Sequence, residues 1–238
     1  WTGNFGKSTS RKVPARDMLL ERLPNTAQLA VSAIVFCIVL GIPLGILSAI
    51  KRDTIWDNLA KLFAVFGQSA PQFWLAILLI ILLGAIPAEN GLPALPTFGS
   101  GGVQHLVLPT IVLGWTIMAG IVRLTRSAML EVLDSEYVKF ARIKGLNERL
   151  VIWKHAGKNA VIPVLTFSGL ALGGLLNGSV VVEVVFAWPG VGRMLLDGVL
   201  QRDFPVVQAV VMAAGFFYIV MAFIVDILYA YVDPRIRY

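Results

Sequence analysis

The chain has 238 residues, 57% hydrophobic and 14% charged, with a mean hydropathy of +0.78 and a formal net charge of +6. A soluble domain is about 45–50% apolar and about 25% charged. This composition therefore excludes an ordinary soluble enzyme and indicates several membrane-embedded segments. A single cysteine, Cys37, excludes a disulfide framework and reads as apolar packing inside a hydrophobic run.

Residues 1–22 are polar and cationic and lack the apolar core of a signal peptide. They include "GNFGKST", residues 3–9, which superficially matches a phosphate-binding loop. That loop needs four residues between its first glycine and the Gly-Lys pair, whereas Gly3 and Gly6 are separated by two and no apolar strand precedes them. Nucleotide binding is not expected there. The segment reads as extracytoplasmic.

Apolar runs then recur at the length of about 20 residues that a helix needs to cross hydrocarbon. Spans are predicted at about 23–50, 62–86, 104–130, 159–182 and 205–228. They are too uniformly apolar for the short alternating strands of a membrane barrel, so the fold class is all-α and polytopic. Gly41 and Gly45 around Pro43, and Gly169, Gly173, Gly174 and Gly178, suit close helix packing, with a flexible pathway lining as the sharper alternative.

The flanking cations orient these spans. Lys51, Arg52 and Lys61 follow the first; no Lys or Arg occurs in 84–106; eight lie between Arg123 and Lys158; Arg193 and Arg202 lie in 183–205; and the terminal "DPRIRY" has two more. The cation-rich side is cytoplasmic by the positive-inside rule, which explains the net charge without nucleic acid. Five cations in the first 22 residues (Lys7, Arg11, Lys12, Arg16 and Arg22) fall on the outer side. A preceding span, making six with both termini inside, would remove that conflict and is the expectation for the whole protein.

Catalytic and metal chemistry find little support. His105 and His155 fall on opposite sides of the membrane and Cys37 lies within a span, so no three ligands converge. Glu183 and Asp226 sit at the ends of their runs, leaving no carboxylate in mid-membrane for a proton relay. Energy for transport is expected from elsewhere.

The region 131–158 is the most charged. Glu131, Asp134 and Glu136 precede Lys139, Arg142 and Lys144, the order that suits a short helix dipole. Asp134 or Ser135 is a candidate N-cap, Gly145 a left-handed C′ residue, and Asn147 the N-cap of a second helix. Tyr137, Phe140, Ala141 and Lys144 share one face by spacing. An amphipathic helix on anionic headgroups accounts for the cations. A docking element for a cytoplasmic partner also accounts for the acids and the glycine break.

"EYVKFARIKGLNERLVIWKHAGKNAVIPVL" resembles the cytoplasmic signature of ABC importer permeases of the dipeptide, oligopeptide and nickel family. "VVEVVFAWPGVGRMLLDGVLQRDFPVVQAVV", residues 181–211, resembles that family's outer loop, and "ERLPNTAQLA" and "DPRIRY" resemble its B-type permease. The general Glu-Ala-Ala…Gly signature is matched only by Ala141 and Gly145, with Lys139 and Phe140 at the preceding positions.

The resemblance implies a type I importer transmembrane domain over 23–238, with coupling region 131–158. Its Glu136, Tyr137, Phe140, Ala141, Arg142, Lys144 and Gly145 would contact an ATPase, and Trp188, Pro189, Gly190, Gly192 and Arg193 would shape the outer loop near substrate. It further implies a homologous second permease, two ATPases carrying ATP and Mg, and an extracytoplasmic binding protein. This chain would bind no cofactor, perform no catalysis, and reside in a bacterial or archaeal inner membrane. Peptides or a related small solute such as a nickel chelate are the implied substrates. A stand-alone secondary transporter or channel is the alternative, and should carry coupling carboxylates or inverted repeats.

Overall fold

The structure, a computed structural model, describes residues 5–232, apart from the side chains of 176–178, 225, 226 and 228–232. The expectations for Gly178, Asp226 and the terminal "DPRIRY" lie outside the described residues. Ten α-helices follow in order among them: α1 Ala15–Ile50, α2 Ile55–Ser69, α3 Gln72–Ile80, α4 Ile86–Glu89, α5 Val103–Leu133, α6 Glu136–Ile143, α7 Glu148–Leu150, α8 Gly157–Val185, α9 Val191–Leu200 and α10 Phe204–Val232. Wider π-helical turns at Ile81–Ala85 and Val151–Ala156 join α3 to α4 and α7 to α8. Among the described residues, five stretches are long and apolar enough to cross a membrane: Ala15–Ile50, Gln72–Glu89, Val103–Leu133, Glu148–Leu175 and Phe204–Ile224. A helix satisfies nearly all of its backbone polar groups internally, which is why helices do the spanning.

One difference from the sequence reading has a local cause. The single run expected over 62–86 is broken between Ser69 and Gln72. Pro71 has no N–H to donate, its ring fixes φ at −63° and its ψ is extended at 135°, and Ala70 before it is disfavoured in the α region. Proline does not always break a helix here, since Pro109 and Pro163 lie inside α5 and α8.

The chain divides into two compact units. The first comprises residues up to 33, 70–114 and 172–221; the second comprises 34–69, 115–171 and the residues from 222 onward. In the first, Ala15, Met18 and Leu19 of α1 pack with Val191 and Met194 of α9 and with Val206, Ala209 and Val210 of α10. The 90–102 loop is tied down where Leu95 N donates to Leu83 O at 2.9 Å and Gly99 N to Phe186 O at 2.8 Å.

In the second unit, Cys37, Met118, Ile121, Val122 and Val164 form one cluster. Helices approach closely where glycine permits it. A β-carbon at Gly41 would lie 2.8 Å from Ile121 Cγ2, and one at Gly67 2.7 Å from Ala119 Cβ. Gly41 and Gly45 therefore act as packing positions, as their spacing suggests.

Candidate functional site

Helix α6 is built for a fixed position with one side left open. Val138 and Ala141 are buried in a cluster with Ile46 and Ala49 of α1, Met129 of α5, and Val151, Ile152 and Ala156 of the following turn. Its C-terminus is a Schellman ending. Leu146 N donates to Ala141 O at 3.4 Å and Gly145 N to Arg142 O at 2.9 Å. Gly145 has φ +74° with open space around it, so glycine is there for its backbone and not for lack of room. Asn147 then caps α7, its Oδ1 accepting from Arg149 N at 2.9 Å.

Two details differ from the sequence reading. Ser135 occupies the N-cap position of α6, but its hydroxyl donates back to Val132 O at 2.5 Å and caps nothing. The expected common face of Tyr137, Phe140, Ala141 and Lys144 is divided. Ala141 points into the bundle, while Phe140 is 60% and Ile143 79% exposed. The reason is the narrow helix: positions i+3 and i+4 straddle the boundary between its packed and open sides.

Two charge pairs of this region serve its own shape. Arg142 donates to both carboxylate oxygens of Glu148, at 2.8 and 3.3 Å, across the glycine turn. Lys139 pairs with Glu136 at 2.9 Å, and Tyr137 Oη accepts from Asn159 Nδ2 at 2.7 Å. The open side of α6 and its turn thus presents Phe140, Ile143 and Leu146 beside the Lys139–Glu136 and Arg142–Glu148 pairs.

The 186–193 segment has another kind of order. Helix α8 ends with Ala187 N donating to Val184 O at 3.2 Å and Trp188 N to Glu183 O at 2.8 Å. This is a second Schellman ending, with Ala187 at φ +50°. Trp188 is buried, and its Nε1 donates to Asn25 O at 3.0 Å while Asn25 Nδ2 donates to Pro189 O at 3.0 Å.

At the centre lies Glu183, fully buried, which sequence reading noted only as an acid at the end of a span. Its Oε1 accepts from Thr26 Oγ1 at 2.8 Å and its Oε2 from Arg193 N at 2.9 Å, while Val191 N donates to Thr26 Oγ1 at 2.8 Å. Glu183 and Thr26 thus satisfy first-turn N–H groups of α9 that its own N-cap, Gly190, cannot reach. Burial pushes the Glu183 carboxyl up, against these hydrogen bonds. A side chain at Gly190 would strike the Glu183 carboxylate, and one at Gly192 would lie 2.8 Å from Val180 Cα. Of Trp188, Pro189, Gly190, Gly192 and Arg193, only Pro189 and Arg193 keep partial exposure, so the other three shape the segment from within.

Sequence reading missed Asp57. It is fully buried, and Arg126 grips both its oxygens, Nε to Oδ1 at 2.6 Å and Nη2 to Oδ2 at 2.9 Å. Ser48 Oγ, Asp53 N and Lys61 Nζ add contacts at 2.6, 3.0 and 2.7 Å. The Arg126 guanidinium holds this carboxyl far below the usual range, with burial opposing and Lys61, Ser48 and the Asp53 amide assisting. Its only signal in sequence was an arginine one turn from the end of an apolar run. Among the described residues no group of three or more His, Cys, Asp or Glu is placed to hold a metal ion.

Residues 41–238 match the family described as binding-protein-dependent transport system inner membrane component. The dipeptide transport system permease protein DppB of Alkalihalophilus pseudofirmus is 38% identical over 260 residues, covering 100% of this chain and 78% of that protein. The glutathione transport system permease protein GsiC of Escherichia coli strain K12 is 41% identical over 236 residues, covering 99% and 76%. The chain belongs to the binding-protein-dependent transport system inner membrane component family. It is a multi-pass permease subunit of an ABC importer, and the reading as a stand-alone transporter or channel falls away. The fold agrees. A chain of the methionine ABC transporter MetNI in an inward-facing conformation superposes with a TM-score of 0.74 at 17% identity, covering 91% of this chain and 96% of that one. A chain of an amino acid ABC transporter gives 0.61 at 14% identity, covering 92% and 94%.

Proposed function

We propose that this permease subunit forms half of a pathway for short peptides in a bacterial or archaeal inner membrane, coupled to ATP hydrolysis through α6. The observation that carries the coupling is the pairing of a buried side, Val138 and Ala141, with an open side, Phe140 and Ile143, on one short helix. A force on the open side reaches α1 and α5 directly through the packed side, because close-packed interiors transmit displacement with little compression. The partner on that side is an ATPase subunit. Two such subunits carry ATP and Mg, a second homologous permease completes the pathway, and this chain binds neither nucleotide nor metal.

The cation-rich connections face the cytoplasm, placing α6 with the ATPases and the 183–205 segment with an extracytoplasmic binding protein. The braced loop around Glu183 shapes the outer end near arriving substrate, with Pro189 and Arg193 as its accessible groups. Support for peptides comes from relatives named for dipeptide and glutathione transport, the tripeptide glutathione bounding the size. Reconstitution with its ATPases, second permease and binding protein tests this. ATP-dependent uptake of labelled dipeptide or glutathione is expected. Uptake of a nickel chelate without either peptide would contradict it.

A further inference from the structure

A cavity of about 280 Å³ lies between α1, α2 and α5, with Ser48, Lys61, Gln68, Arg123, Arg126 and Ser127 among its lining residues. Its walls hold three cations and no carboxylate. The one buried acid beside it, Asp57, is already saturated: Ser48 and Arg126 occupy Oδ1, and the Asp53 amide, Lys61 and Arg126 occupy Oδ2. Asp53 reaches Lys61 only at 4.0 Å. Arg123 meets no carboxylate among the described residues; its Nη1 donates to the neutral Gln68 Oε1 at 2.9 Å. The recess thus holds more cations than carboxylates, with a net positive charge.

Its position narrows the occupant. Arg123 is 20 residues beyond the start of α5, about 30 Å along the axis, and so near the cation-rich end of that span. The neighbouring surface of α2 is apolar and open: Leu62 is 65%, Val65 66% and Phe66 48% exposed. A basic recess flanked by exposed apolar side chains at the edge of the hydrocarbon matches a headgroup with acyl chains attached. We propose that this cavity binds the phosphate of an anionic phospholipid in the cytoplasmic leaflet. Lys61 and Arg123 take the anion, and Asp57 positions Arg126 behind them.

Native mass spectrometry of the full chain in neutral detergent tests this. The probes are dioctanoyl phosphatidylglycerol, dioctanoyl phosphatidylcholine and inorganic phosphate. Two cations near the membrane surface correspond to roughly tenfold or more in preference for the anionic lipid. The wild-type chain is expected to retain phosphatidylglycerol over phosphatidylcholine by that factor. Lys61→Gln with Arg123→Gln should abolish the preference, while Lys154→Gln with Lys158→Gln, the same charge lost from elsewhere, should leave it intact. Equal retention of the two lipids by the wild-type chain overturns the proposal, and that comparison needs no variant to fold. Full preference in the Lys61/Arg123 variant also overturns it. Inorganic phosphate binding as tightly as phosphatidylglycerol overturns the lipid assignment in favour of a free anion.

Discussion

Asp203 shows how a single buried carboxylate organises its surroundings. It accepts from the hydroxyls of Ser8 and Ser10 and from the backbone amides of Thr9 and Ser10, so residues 8–10 direct their donors at an internal acid. Burial alone would raise the Asp203 carboxyl, but these hydrogen bonds outweigh it and hold it at about 2, below its ordinary 3.8. A carboxyl lowered on folding adds stability that is complete above its unfolded value and disappears as pH falls through the folded one. The contribution is about 2 kcal/mol. Resistance to thermal unfolding should therefore fall between about pH 4 and pH 2 in the wild-type chain. Asp203→Asn should be less stable at neutral pH and lose that pH-dependent component. An unchanged midpoint at pH 7 would remove Asp203 from this role. Neither Ser8 nor Asp203 stands out in the sequence, because their pairing spans 195 positions.

The helical elements were legible to different degrees, for physical reasons. Long apolar runs and the Gly145 ending could be read directly, since length and a glycine after a basic turn are local signals. The endings of α8 and α9 could not. They place Ala187 and Arg202 at φ +50° and +55°, where only tertiary contacts hold a side-chain-bearing residue. The Pro71 break was visible as a proline, yet Pro109 and Pro163 lie within helices, so residue type alone did not discriminate. At the candidate sites, sequence marked the 136–145 and 188–193 segments but neither the bracing of the second by Glu183 nor the Asp57 clamp that joins α1, α2 and α5.

The Asp57 clamp makes an element-scale prediction, because it joins α2 to α5 and to the end of α1. Asp57→Asn leaves Arg126 without its charge partner and should cost about 3 kcal/mol or more. The double variant Asp57→Leu, Arg126→Met should cost less than the single one, since the charge it leaves without Asp57, Lys61, is 43% exposed and has Asp53 at 4.0 Å. Thermal midpoints of the three chains in detergent check the order. A double variant less stable than Asp57→Asn would contradict the unpaired-charge argument.

For the whole molecule, the proposed coupling makes α6 the place where ATPase movement enters the membrane helices. Its packed side joins the α1–α5 base, its open side carries Phe140 and Ile143, and Gly145 turns the chain back. Arg142 serves that turn through Glu148, so a charge change there perturbs shape as well as docking. Gly145→Val is the cleaner probe, because no atom within 4 Å of an added β-carbon obstructs it and only the backbone is strained. The strain is about 1–2 kcal/mol, or roughly fivefold or more in any equilibrium that needs the turn. The most direct measurement is recovery of co-expressed ATPase with the tagged chain, alongside ATP-dependent uptake, for wild type and Gly145→Val. The account predicts normal membrane insertion of the variant, with both ATPase recovery and uptake reduced at least severalfold. Wild-type recovery and uptake in Gly145→Val would contradict it.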